Sequence, residues 1–395
     1  AKALRRAYER SDIDPATVEL VEAHGTGTKA GDAAEFGGLN TVFNEAGRED
    51  RQWCALGSVK SQVGHTKAAA GAAGLFKIVM ALHHKVLPAT IKVDQPNPKL
   101  EIETTPFYIN TETRPWIRSS DHPRRGGVSA FGFGGSNFHL AAEEYLGEHK
   151  KPRFRKSPVE LVVMAAADAA ALADACTELA STLDDRTLDG VARDTQLAYD
   201  GGAARVALVA ESLEDLRRKL DQARDSIRNS GGRGFTLPNG IYFGTGDAQK
   251  TAFLFPGQGS QSVGMGADLA MAFDAARDVW DHSADIDFGG EALHRVVFPI
   301  PAFNDETRQA QADRIRATDW AQPALGAASL ATLAVLEQLG LKADAVAGHS
   351  FGEVTALRAA GAMNEADTLR IARRRGELMA EAAEVTSGTM CAVQE

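Results

Sequence analysis

The chain has 395 residues, 44% apolar and 24% charged, with a formal net charge of −10. That length holds two or three ordinary domains, each large enough to bury a core. The acidic balance argues against a nucleic-acid partner, which would need cations to neutralise phosphate. Three scattered cysteines, Cys54, Cys176 and Cys391, form no CxxC pair, so neither a disulfide framework nor a zinc site is indicated and a reducing cytoplasm fits best.

The start, AKALRRAYER, has no signal-peptide core and reads as a helix entered midway; opening on Ala rather than Met, the chain reads as an excerpt. Residues 1–148 alternate helix and strand around glycine-rich turns. Val18–Glu22 is a short apolar strand running into HGTGT, and Cys54, at the entry to the strand in RQWCALGS, reads as core. The spacing predicts a buried helix over Ala68–His83. Proline-bearing connections (LPATIKVDQPNPKL), FYINTETRPW and the glycine cluster FGFGGSNFH follow. The basic stretch His149–Pro158 has Phe154 as its only aromatic and reads as a solvated linker. A small α/β unit comes next: strand Val159–Met164, helix Asp168–Leu183, strand Arg205–Val209 and helix Leu213–Ser230. Its GGRG cluster lacks the GK[ST] ending of a phosphate loop and reads as a turn. From Thr251, TAFLFPGQGSQ is a strand breaking into a glycine-rich loop. Trp320–Leu339 reads as an amphipathic helix, and Ala343–Ala347 as a strand ending at GHSFG with a helix after it. The last residues, GTMCAVQE, resemble an apolar strand. No apolar run reaches the ~18 residues of a spanning helix, so no membrane partner is expected.

Two places carry chemistry. Gly348–Gly352 is a GxSxG pentapeptide between strand and helix, the setting in which a serine Oγ projects from a strained turn. A helix starting at Ser350 would favour a developing oxyanion there. The loop Phe255–Gln261 can bring a second N–H, that of Gln258, near the serine. Arg375 in RRRGELM can grip a carboxylate in two places, while Arg373 and Arg374 read as solvent-facing neighbours. Upstream, His24 and His65 each sit where a strand meets a glycine-rich turn. Neither has metal-ligand spacing, so no metal is expected. Two neutral imidazoles converging on one point can donate hydrogen bonds to an enolate or a leaving carboxylate.

FPGQGSQ, TDWAQPAL, GHSFGE and RGELM, in that order, resemble the malonyl-CoA:acyl-carrier-protein transacylases and the acyltransferase domains of polyketide and fatty-acid synthases. The resemblance implies Ser350 as the acyl-accepting nucleophile and the N–H groups of Gln258 and Phe351 as its oxyanion hole. Arg375 would hold the malonyl carboxylate with Gln322 orienting it, and His349 would be a neighbour of the nucleophile. Phe351 is bulky, which would disfavour a branched extender unit. The family's base is a histidine well beyond the serine, and no histidine follows Ser350 here. EAHGTGTxxGD, KSxxGHTxAAAG and GFGGSN resemble the C-terminal half of a thiolase-fold β-ketoacyl synthase. That implies His24 and His65 in malonyl decarboxylation and enolate stabilisation, with Lys60 in support. Thr26 and Thr28 would touch the phosphopantetheine arm, and the Gly132–Asn137 loop would pack beside the site. The family's nucleophilic cysteine precedes HGTGT and is absent.

The expected fold is therefore α/β in three parts: a thiolase-like ketosynthase half at 1–148, a small α/β linker domain at 149–248, and a partial α/β-hydrolase-like acyltransferase at 249–395. The expected function is that of an iterative type I synthase, closer to polyunsaturated fatty-acid synthases than to modular polyketide synthases, with the isolated chain impaired. Malonyl-CoA and a phosphopantetheine-bearing acyl carrier protein are the implied substrate and partner, no cofactor is bound directly, and the intact synthase is expected to be a homodimer. Two other readings stay open: a serine hydrolase, which needs an Asp and then a His after the serine, and an inert docking piece.

Overall fold

Leu4 and Tyr8, one turn apart, bury the inner face of α1 (Lys2–Ser11) in a computed structural model that describes residues 1–132, 134–148, 158–247 and 249–385. The His149–Pro158 linker, apart from Pro158, and the final GTMCAVQE segment lie outside the described residues. A 3₁₀ turn at Pro15–Thr17, capped by Asp14, delays the first strand, so β1 is Leu20–Glu22 rather than starting at Val18. Then come α2 (Lys29–Asn44), β2 (Cys54–Gly57), the one-turn α3 (Lys60–Val63), α4 (Ala70–His84), β3 (Val86–Leu87), β4 (Phe107–Ile109), β5 (Arg114–Pro115), β6 (Arg125–Phe131) and β7 (Asn137–Glu143). One sheet runs β4-β2-β1-β6-β7, parallel except for the β6–β7 pair. Its central strands β1 and β2 are buried at every residue, as covered parallel strands are. Cys54 is fully buried there. Because β1, β2 and β6 run the same way, the loops after them leave by one edge.

The helix expected to be buried over Ala68–His83 is buried on one face only. α4 turns Gly74, Lys77, Ile78 and Ala81 inward and leaves Phe76 67% and Val79 48% exposed.

Residues Phe154–Lys250 form a separate compact unit. It holds β8 (Glu160–Ala166), α5 (Ala169–Ser181), α6 (Leu188–Leu197), β9 (Ala204–Ala210), α7 (Leu213–Asn229), β10 (Phe235–Leu237) and β11 (Ile241–Thr245), with an antiparallel sheet of order β10-β11-β9-β8. The Ser212 hydroxyl caps α7 by accepting the Asp215 N–H at 3.1 Å. Leu216, Leu220, Ala223 and Ile227 then bury one stripe of that helix. Gly231 and Gly232, both at positive φ, make the expected GGRG turn.

The last part contains β12 (Ala252–Phe255), α8 (Ala267–Ala272), α9 (Asp274–Ala284), α10 (Leu293–Val297), α11 (Asp305–Arg316), α12 (Thr318–Gln338), β13 (Ala345–Gly348), α13 (Gly352–Ala359) and α14 (Glu365–Val385). β12 and β13 pair in parallel. α12 corrects the amphipathic reading: Trp320 to Ala327 are buried without a break, because α9 and α14 pack on different sides of it. This part belongs to the same compact unit as the first 153 residues. Arg124, fully buried, joins them. It donates to the Trp116 carbonyl at 2.6 Å, to Glu144 at 2.8 Å, and to both Asp281 oxygens at 2.7 and 2.6 Å. Arg114 adds bonds of 2.8 Å to the carbonyls of Phe298 and Pro299.

Candidate functional site

At the end of β13 the chain turns sharply. Ser350 is exposed with φ 52°, a left-handed conformation that a non-glycine residue holds only under local constraint. The His349 N–H donates to the Phe255 carbonyl at 3.0 Å, extending the β12–β13 pairing, and the Gly352 N–H donates to the His349 carbonyl at 2.9 Å. The flanking glycines are steric necessities. A Cβ on Gly348 would overlap the Gly352 carbonyl carbon, and one on Gly352 would overlap the Phe255 oxygen. α13 begins at Gly352, two residues later than a helix starting at the serine would. The glycine-rich loop after β12 presses on this turn: a Cβ on Gly257 would lie 2.5 Å from the His349 carbonyl oxygen and 3.2 Å from Ser350 Cβ. The peptide of Gln258 is the next one along this loop. The Gln258 side chain donates to Thr318 Oγ1 at 3.1 Å.

Phe351 corrects a reading. Its ring is fully buried with Leu325 and Ala372 and packs on Gly326, so its bulk fills the core below the turn and does not shape a substrate pocket. One turn earlier on the same face of α12, Gln322 Oε1 accepts from Arg375 Nη1 at 2.7 Å. α14 comes this close because residue 376 is glycine; a Cβ there would lie 2.5 Å from the Thr318 carbonyl oxygen. The ring next to the serine and the arginine thus both pack on the Gln322–Gly326 face of α12. Arg373 is not solvent-facing. It bonds the Asp319 carbonyl at 3.0 Å and Glu377 at 2.7 Å and lies 4.5 Å over the Trp320 ring, with its side chain 14% exposed, whereas the Arg374 side chain is 60% exposed.

The two upstream histidines meet. Their ring centroids are 5.4 Å apart at an interplanar angle of 85°, and Phe131 lies 6.0 Å from His24. His24 follows β1 directly. His65 does not leave a strand; the single turn of α3 stands between β2 and its loop. His65 Nδ1 accepts the Lys67 N–H at 3.0 Å, which places the proton of the neutral ring on Nε2. Burial above all, then Lys60 and the other imidazole, hold His24 below the usual histidine range, so it is neutral near pH 7. Burial likewise lowers Lys60 against the pull of Glu22 and Glu35. Thr26 and Thr28 hydrogen-bond each other at 3.1 Å at the loop surface. Of the Gly132–Asn137 loop, Phe133 lies outside the described residues.

Comparison with known proteins bears on all of this. Residues 1–94 match the beta-ketoacyl synthase C-terminal domain, residues 96–198 the ketoacyl-synthetase C-terminal extension, and residues 252–395 the acyl transferase domain. A polyunsaturated fatty acid synthase of Thraustochytrium sp. is 35% identical over 99% of this chain, and polyketide synthase GfsA of Streptomyces halstedii 37% over all of it. The chain belongs to the polyketide and polyunsaturated fatty-acid synthases. It spans 15% and 5% of the lengths of those two relatives. Their similar identities place it in the type I synthase family as a whole. The solved acyl transferase domain of ZmaA shares the fold at 24% identity and a TM-score of 0.50, covering 57% of this chain and 50% of that one.

Several residues that shape the synthase's histidine site escaped sequence reasoning. Glu35 accepts the backbone N–H groups of His24 and Gly25 at 2.7 and 2.8 Å, and Asp32 accepts that of Thr26 at 3.1 Å. Ser58 Oγ donates to the Gly25 carbonyl at 3.1 Å. Glu22 and Lys77 pair in the interior. The signal for that pair was present: one acid in an apolar strand and one cation in an apolar helix each demand a buried partner.

Proposed function

We propose that the chain is the malonyl-loading and condensing portion of an iterative type I synthase. Ser350 Oγ attacks the thioester carbonyl of malonyl-CoA, and the N–H groups of Gln258 and Phe351 face the developing oxyanion. Coenzyme A leaves as its thiol, and the phosphopantetheine thiol of a carrier protein then takes the acyl group from the serine. The serine proton passes to a base that these residues do not include, so loading by the chain alone is slow. Arg375, oriented by Gln322, binds the free carboxylate and selects a dicarboxylic acyl group. At the second centre the malonyl carboxylate leaves as carbon dioxide, and its bonding electrons form an enolate that receives hydrogen bonds from His24 and His65. Lys60 supports that site, Thr26 and Thr28 contact the pantetheine arm, and the intact synthase works as a homodimer.

The observations that carry this reading are the left-handed Ser350 turn and the Gln322-held Arg375, which shares a face of α12 with the ring of Phe351, the residue after the serine. Intact-mass measurement after incubation with malonyl-CoA tests it. A malonyl increment is expected on the wild-type chain, lost in Ser350→Ala and shifted toward acetyl-CoA in Arg375→Ala. Hydrolysis of simple esters without an acyl increment would favour a hydrolase instead.

A further inference from the structure

His24 lies just after β1 and His65 beyond β2 and the single turn of α3, yet their rings meet. A single buried side chain joins the two segments that lead to them. Glu22 ends β1, two residues before His24, and is 1% exposed. Its Oε1 accepts the N–H of Val59, the residue that leads from β2 into α3 on the way to His65, at 2.6 Å. Its Oε2 lies 2.9 Å from Lys77 Nζ, an ion pair without the alignment of a hydrogen bond. Two glycines make the slot. A Cβ on Gly74 would come 3.0 Å from Glu22 Cγ, and one on Gly57 would come 3.3 Å from Lys77 Nζ.

We propose that Glu22 is a positioning residue: its carboxylate, with Lys77 as counterion, ties the end of β1 to the Val59 peptide and so sets the spacing of His24 and His65. The inference rests on the reading that both histidines serve one substrate, but its geometry is independent of that. Buried carboxylates are rarely kept without a partner that needs them. Here the negative charge answers Lys77, and the second oxygen is spent on the peptide between β2 and α3.

Two double variants of the 395-residue chain separate tether from charge. Glu22→Gln with Lys77→Met removes both charges and keeps an acceptor for Val59. Glu22→Leu with Lys77→Met removes the acceptor as well. With histidine rings isotopically labelled, the first should keep the His24–His65 ring-to-ring NOE and the second should lose it. His24 is faced by His65, Lys60 and Asp32, with Glu35 on its peptide. Parting the rings removes one of the influences that depress it, so in the second variant its titration midpoint should move up toward 6.5. Loss of the contact in the Gln/Met variant, or its survival in the Leu/Met variant, overturns the proposal. If the Leu/Met variant does not fold, the Gln/Met result decides alone. Failure of the catalytic reading would show differently: unchanged condensation in a longer synthase carrying His65→Ala, with the NOE of the wild-type chain intact.

Discussion

His139 shows how one residue can couple pH to the fold. Its Nδ1 lies 3.0 Å from the Ser129 hydroxyl and its Nε2 2.9 Å from the Tyr8 hydroxyl, tying β6, β7 and α1 together. Burial pushes its pKa down to about 4 and that of His294 down to about 3. Unfolded histidine titrates near 6.5, so between roughly pH 6.5 and 4 the unfolded chain binds more protons than the folded one. The stability tied to His139 is therefore complete above about pH 6.5 and lost as pH falls, at up to ~1.4 kcal/mol per pH unit. Burial raises Glu35 and Asp281, which act in the opposite sense. A comparison of wild type with His139→Gln by urea unfolding isolates the effect. Their stability difference should shrink from pH 6.5 toward pH 4; a constant difference would refute the assignment. At this scale the sequence was legible where chemistry is local. GxSxG implied a strained serine, and Ser350 has the positive φ. It was illegible where a neighbour decides: Phe351 looked like a specificity residue and proves to be core.

Helix α14 carries three consecutive arginines that the 100° turn per residue sends to different surroundings. Arg375 meets Gln322, Arg373 stacks on Trp320 and pairs with Asp319 and Glu377, and Arg374 points to solvent. Arg373→Ala should therefore lower stability by about 2 kcal/mol through lost hydrogen bonds and cation–π contact. Arg374→Ala should stay within about 0.5 kcal/mol. Thermal unfolding of the two variants checks this, and equal losses would contradict it. The reason RRRG read poorly is that periodicity tells which residues share a face, not what packs there. The same limit misread α12, whose alanines and glycine fit between α9 and α14. By contrast α7, with Leu216, Leu220, Ala223 and Ile227 on one stripe, was plain from spacing because only one side of it is covered.

Over the whole molecule, the joint between the first 148 residues and the acyltransferase part depends on Arg124 and Asp281, 157 positions apart in sequence. Asp281 also accepts the Arg118 N–H at 3.1 Å, and Asp285 that of Ser120 at 2.7 Å. Asp281→Asn leaves a buried guanidinium undercompensated, a loss of about 3 kcal/mol. Amide exchange at Arg118 should then accelerate by roughly 10²-fold, read by hydrogen-exchange mass spectrometry. Unchanged protection would mean that the joint does not hold the segment. Ordered motifs made the synthase family legible by resemblance, and the sequence alone determined the α/β character of each part, the serine turn and the turn after β1 that bears His24. The structural features among these follow from short runs whose glycines, strand residues and nucleophile act through their own backbone. Tertiary structure alone decided that His24 meets His65, that Glu22 finds Val59 and Lys77, and that Arg124 reaches Asp281. Such pairs are joined by packing between distant segments, and nothing local in either segment specifies the partner.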